Sequence, residues 1–260
     1  MLIASFLFAL TMLFAKLLSR SMGSIEITFW RNFIGFIIIA SSVYKRPLIN
    51  KGGKQYTLFF RGFIGTIALL TFFYTVSQTS LSNAIVYAKT EPIFTAILAY
   101  FILHESMSKR SVFALLIGFS GMVLMSEAHF SGLHMMGFLT GFLSAWAYTS
   151  VRSLKAFYDP RTVVLSFLIF GIIIPLLLIG IHTYTNFILP APFSEMFIIP
   201  KNIDYLWILL LGISAAYGQI YMTKAYFHTP ANIVSTVSYS VVLFATFFGL
   251  AIGDNFPSLY

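Results

Sequence analysis

An all-α, polytopic membrane fold is the class that this chain of 260 residues predicts. Three observations carry it. Hydrophobic residues make up 58% of the chain and charged residues 9%, whereas a soluble domain carries about 25% charged residues. The mean hydropathy is +0.88. The apolar residues also run in continuous blocks of about 16 to 22, long enough to cross a hydrocarbon core as helices. Barrel strands would alternate over about ten residues instead. Soluble, disordered, collagen-like and disulfide-stapled classes are excluded, because the chain is apolar, lacks a glycine period and has no Cys.

In chain order the blocks fall at 2–19, 27–43, 58–77, 83–103, 111–126, 133–152, 163–184, 206–226 and 232–252. The first starts directly after Met1, with no basic n-region and no A-x-A site, so it reads as a first transmembrane helix rather than a removable signal. The second carries Trp30 and Arg31 near its start. The fourth opens on Asn83 and contains Lys89, Glu91 and Pro92. The sixth carries Gly137-x-x-x-Gly141 and the ninth Gly249-x-x-x-Gly253, spacings that let helices approach closely, within the chain or in a homodimer. Residues 185–203 form one long loop, punctuated by Pro190, Pro192 and Pro200. About 26 residues per helix and connection would allow roughly ten spans; nine are found.

The 16 Lys and Arg against 8 Asp and Glu leave a net charge of +8. No basic run long enough for a nucleic-acid arm occurs, so no nucleic-acid partner is expected. The basic residues instead alternate with the loops. Lys45, Arg46, Lys51 and Lys54 lie between the second and third helices, Lys109 and Arg110 between the fourth and fifth, and Arg152, Lys155 and Arg161 between the sixth and seventh. The positive-inside rule then places the N-terminus in the cytoplasm of a multi-pass protein of the plasma (inner) membrane.

An internal repeat is also legible. A shift of 149 lays Thr75–Glu105 over Lys224–Asp254, pairing Asn83 with Asn232 and Glu105 with Asp254; a shift of 136 lays Lys16 over Arg152. The two copies are 1–127 and 133–260, each beginning a five-helix unit. Five is odd, so the second copy would enter the membrane from the opposite side, as inverted-topology transporter repeats do. In the second copy GDNFPSLY stands where a fifth helix would follow, and the expectation is a tenth helix missing at the C-terminus.

The segments AKLLSRSMGSIEITFWRNF and SLSNAIVYAKTEPIFTAILAYFILHESMSKRSVFALLIGFSGMVLM resemble the drug/metabolite transporter superfamily, EamA type. The resemblance implies ten helices in two inverted halves, a central cavity, and transport of small metabolites, often export.

Ionisable residues within a span are costly and mark function by default. Lys89 and Glu91 are two residues apart, so on one unbroken helix they would point to nearly opposite sides. Pro92 cannot donate to the Ala88 carbonyl and crowds it, which favours a break there. A break at membrane depth is tolerated where it faces protein or a wet cavity. Lys89, Glu91, Pro92 and the freed Ala88 carbonyl are therefore the first candidate site, against the plainer reading of a structural kink with an internal ion pair. Glu91 is the candidate proton-coupling group. Arg31 either snorkels outward or turns toward Glu91 or an anionic substrate. Lys224 is a further cavity candidate, and Tyr87, Trp146, Gln219 and Tyr239 lie deep enough to line one. A mildly positive cavity favours a substrate with a carboxylate or phosphate, such as an amino acid.

No H-E-x-x-H, G-x-S-x-G, Walker or G-x-G-x-x-G element occurs, so neither an enzyme, an ATP-driven pump nor a cofactor is expected. His129 and His134, with Glu127, are scattered in a short loop and suggest no metal. The expected partners are a small-molecule substrate and the lipid bilayer. The function expected is secondary transport of a small metabolite by alternating access. The rival readings are a non-transporting sensor or assembly protein and, further off, a lipid-modifying enzyme.

Overall fold

The computed structural model describes residues 1–79, 81–125, 132–185 and 198–252. The expectations for Glu127, His129, Pro190, Pro192, Gly253, Asp254 and a tenth helix lie outside these residues, as do the side chains of Asn83 and His134. The described residues form helices and no strands: α1 (Leu2–Leu18), α2 (Ser24–Lys45), α3 (Gln55–Gln78), α4 (Leu81–Ala88), α5 (Glu91–Leu103), α6 (Lys109–Met125), α7 (Gly132–Leu154), α8 (Pro160–Thr185), α9 (Asp204–His228), α10 (Ala231–Val237) and α11 (Ser240–Ala251). Two pairs, α4–α5 and α10–α11, are single rods interrupted by two residues, so the segments make nine rods at the nine apolar blocks. Among the described residues, six rods are long and apolar enough to cross a membrane. The described part of α1 is a shorter apolar helix of 17 residues.

The bundle is apolar outside and partly polar inside. Phe6, Ile37, Phe59, Phe101, Phe113, Leu177 and Leu243 are among many large apolar side chains exposed on its outer surface, a surface suited to contact with lipid. Buried among the helices are Thr11, Thr66, Thr71, Thr75, Thr95, Asn32, Gln219 and Thr223. Lipid tails are as apolar as the interior, so no hydrophobic force separates one helix face from another, and close packing with interhelical hydrogen bonds holds the helices instead. The Thr11 and Ser214 hydroxyls join α1 to α9 at 3.0 Å. Thr140 Oγ1 donates to Thr71 Oγ1 at 2.9 Å, joining α7 to α3.

Glycines set the closest approaches. Gly35 of α2 abuts Leu168 of α8, and Gly171 of α8 abuts Asn32 of α2. A Cβ at Gly62 of α3 would meet Phe170 of α8, and one at Gly212 of α9 would meet Ile34 of α2. On α7, a Cβ at Gly137 would collide with Tyr87, and one at Gly141 with Thr90 Oγ1. The Gly137-x-x-x-Gly141 pair thus brings α7 against the interruption between α4 and α5.

The basic loops gather at one end of the bundle. There Arg161 donates to the Ser42, Arg46 and Pro47 carbonyls and pairs with Asp159 at 3.0 Å. Asn50 Oδ1 accepts from the Asp159 amide at 3.0 Å and the Thr162 hydroxyl at 2.8 Å. Partial burial raises the pKa of the Asp159 carboxyl, but the Arg161 hydrogen bonds and charge outweigh this and hold it below the ordinary carboxylate value. At the opposite end Lys16 Nζ donates to the last carbonyls of α3, those of Val76 (3.0 Å) and Thr79.

Candidate functional site

The site begins at the interruption of the fourth rod. α4 closes with the Lys89 amide donating to the Ile85 carbonyl at 2.9 Å, and the Thr90 hydroxyl donating to the Tyr87 carbonyl at 3.0 Å. Pro92 sits in the first turn of α5, where its missing N–H costs nothing. The chain turns through Lys89 and Thr90, so Lys89 and Glu91 end on the same side, which an unbroken helix would forbid. Gly141 leaves room for this irregular backbone, passing close to the Ala88 carbonyl.

The second interruption faces the first. Residues Ser238 and Tyr239 separate α10 from α11 with no proline, the Ser238 amide donating to Val234 at 3.1 Å and to Ser235 at 3.0 Å. Lys89 Nζ donates to Ser238 Oγ at 3.1 Å and lies 3.4 Å from Glu91 Oε2. Glu91, only 2% exposed, accepts from Thr95 at 3.0 Å and Ser238 at 3.2 Å, with the Tyr226 hydroxyl at 3.5 Å. Each Glu91 oxygen is therefore already engaged by donors of the protein.

A cavity of about 110 Å³ opens beside this pair, lined by α1, α2, α3, α7, α8, α9 and both interrupted rods. That is the share of several waters. Its walls include two further charges, Arg31 and Arg61, which are 3% and 1% exposed. Both guanidiniums stand over the Phe167 ring, at 5.1 Å and 4.7 Å from its centroid. Arg31 Nη1 donates to Asn32 Oδ1 at 2.9 Å. Nε of both arginines and Nε2 of Gln219 are buried donors without a hydrogen-bond partner. Among the described residues neither arginine has a carboxylate within ion-pair distance.

The structure sorts the sequence candidates. Lys89, Glu91, Arg31 and Gln219 line the cavity together. Arg31 is seven residues into α2, because that helix begins at Ser24 rather than at 27, and it turns inward instead of snorkelling. Pro92 is buried beside the cavity and shapes it without lining it. Tyr87 packs on Phe138 and Gly137 of α7. Tyr239 lies in the second interruption against Gly118 of α6. Four placements correct the expectation, because neither Tyr87 nor Tyr239 lines the cavity and Trp146 and Lys224 lie away from it. Trp146 is 37% exposed and stacks edge-on to Phe60 and Phe142 at a separate outer groove. Lys224 is exposed, because Gln219 and Thr223, four apart, take the inward face of α9 and turn their neighbour outward.

Sequence reasoning missed Arg61 and Ser238, and it did not place Tyr148 on the cavity wall or the Tyr226 hydroxyl beside Glu91. Arg61 lies near the start of the apolar block 58–77, close to the basic loop at 45–54, and was not singled out. The glycines at 62 and 65 beside it, which leave a large side chain room, were the available signal.

A second polar cluster closes the basic end. Arg152 Nε meets Glu105 at 2.7 Å, and its Nη1 donates to the Tyr226 and Phe227 carbonyls, both at 3.0 Å. Glu105 Oε2 accepts from the Ala231 amide at 2.8 Å. One ion pair thus ties α5, α7, α9 and α10 together.

The sequence signature of the EamA-like transporter family matches residues 1–127. An uncharacterized transporter of Helicobacter pylori is 30% identical over 99% of this chain and 87% of that protein. The pseudopaline exporter CntI of Pseudomonas aeruginosa is 24% identical over 98% of this chain and 87% of the exporter. An S-adenosylmethionine uptake transporter of Rickettsia prowazekii is 22% identical over 94% of this chain and 79% of its own length.

Proposed function

This chain belongs to the EamA-like transporter family, and on that premise we propose a secondary transporter of the plasma (inner) membrane. It exports a small metabolite that bears acid groups, by alternating access between two inverted halves, 1–127 and 133–260. The observation that carries this reading is the buried, charged cavity where two interrupted helices meet. A purely structural Lys89–Glu91 pair would have no reason to sit on the wall of a cavity together with two guanidiniums that lack an ion-pair partner.

The inverted repeat draws support from reciprocal contacts. Under the shift of 136, Asn32 corresponds to Leu168 and Gly35 to Gly171, and these are the residues that meet crosswise between α2 and α8. Under the shift of 149, Lys89 corresponds to Ser238, and the two interruptions fall at equivalent places. Lys16 on α1 caps the carbonyls of α3 as its counterpart Arg152 on α7 caps those of α9. The gathering of basic loops at one end supports a cytoplasmic N-terminus. Export is the direction of the named relative matched over more of both chains.

The test is uptake and efflux in proteoliposomes across a pH gradient, with Glu91→Gln beside the wild type. Proton coupling through Glu91 predicts that the variant loses the pH response. Unchanged transport with an unchanged pH response would sink it.

A further inference from the structure

The walls of the cavity carry four charged groups, Arg31, Arg61, Lys89 and Glu91. Three are positive and one is negative, so the cavity keeps two positive charges. The cancellation is also local, because Lys89 sits on Glu91 and the arginines are left with an aromatic ring and one amide oxygen. Arginine stays protonated in such a place, and a ring face compensates a guanidinium only weakly compared with a carboxylate.

The unsatisfied groups on these walls are three N–H donors, Nε of Arg31, Nε of Arg61 and Nε2 of Gln219, and the Ser5 hydroxyl, which can donate or accept. The one acidic wall residue, Glu91, is taken up by Lys89, Thr95, Ser238 and Tyr226. An ammonium group entering the cavity would find no free carboxylate, and it would approach two guanidiniums of its own sign. An acid group would find the fork of an arginine, which suits bidentate recognition of carboxylate and phosphate. Both forks lie close to one ring, so they stand no more than about 10 Å apart, within the span of one small molecule.

We infer that Arg31 and Arg61 form the binding site for a compact organic dianion, with two carboxylates or one phosphoryl group, and that the zwitterionic head of a simple amino acid is not what they select. This rests on the transporter reading for passage across the membrane, but not for binding. Gln219 supplies a further donor, and the Lys89–Glu91–Ser238 cluster lines the same cavity with no net charge.

The test uses the full chain purified in detergent, with thermal unfolding followed in the presence of succinate, glycerol 3-phosphate, butyrate or leucine. The expected result is a rise in Tm with at least one dianion and little or none with butyrate or leucine; which dianion acts separates the dicarboxylate from the phosphoryl source. Arg31→Gln and Arg61→Gln each weaken dianion affinity about tenfold or more. Arg61→Gln also leaves the ligand-free Tm unchanged or higher, since it removes an unpaired buried charge; a structural arginine would lower it. A Tm shift by leucine as large as that of the dianions, a shift retained in Arg61→Gln, or no shift with either dianion overturns the inference. Counterflow in proteoliposomes separates the two readings. Dianion binding without counterflow supports the inference and overturns transport. Counterflow of leucine without dianion binding overturns the inference and leaves transport standing.

Discussion

The Lys89–Glu91 pair allows a double-mutant cycle whose size follows from the geometry. At 3.4 Å and an effective dielectric near 20, the attraction between the two charges is about 5 kcal/mol before desolvation is charged against it. Glu91 is 2% exposed and Lys89 13%, so water screens the pair little. Replacing Glu91 by Gln preserves shape and an acceptor for Thr95, but strands the Lys89 ammonium with Ser238 alone. Breaking one partner of a buried pair costs about 3–5 kcal/mol, and the cavity side of Lys89 puts the expected loss near the lower bound. Lys89→Met removes the other charge and leaves Glu91 with its hydroxyl donors. The double variant Lys89→Met/Glu91→Gln strands no charge and recovers much of the loss, for a coupling of about 2–3 kcal/mol. The assay is reversible unfolding in mixed detergent, followed by the fluorescence of the three tryptophans. Additive single effects, with coupling below about 0.5 kcal/mol, would refute the claim that these two side chains act as one buried pair.

Three further outcomes are expected. Arg152→Gln cuts the tie among α5, α7, α9 and α10; because the chain has no Cys, a single Ser5→Cys on the cavity wall should then react with a small polar thiol reagent at least about tenfold faster, the loss of a charged hydrogen-bond cluster worth about 1.5–3 kcal/mol. Gly137→Val drives a side chain into Tyr87 and should cost about 1–3 kcal/mol, whereas Gly121→Ala, with nothing within 4 Å, should leave stability unchanged in the same unfolding assay. The carboxyl of Asp159 is held below its ordinary value, so its contribution is present above the unfolded-state pKa of about 3.9 and fades as pH falls through the folded-state value. Asp159→Asn should flatten that acid limb in Tm measured from pH 7 to pH 3, and an unchanged limb would show that Arg161 adds nothing there.

Much of the frame was readable before any coordinates. Nine apolar blocks became nine rods, with ends within about three residues, because a helix in lipid must satisfy its own backbone and cannot stop inside the apolar region without a partner. The interruption at Lys89–Thr90 was readable from Pro92, since a proline acts on its own turn whatever surrounds it. The matching interruption at Ser238–Tyr239 has no proline and was not read. There the Ser238 hydroxyl bonds with Lys89 and Glu91 across the bundle, contacts between residues some 149 positions apart.

The facing of each helix was the part that composition could not reach. Arg31 and Lys224 both looked like inward candidates; one lines the cavity and the other is exposed. Trp146 was expected inside and lies at an outer groove, while Arg61 was not singled out and is among the most buried side chains of the described residues. In a soluble helix the polar stripe marks the side that meets water. Here the lipid side and the packed side are both apolar, so one residue of rotation, about 100°, changes a side chain's neighbours without changing the pattern of the chain. Hydropathy along the chain therefore set the number and place of the helices, and packing between helices set which few charges came to share one cavity.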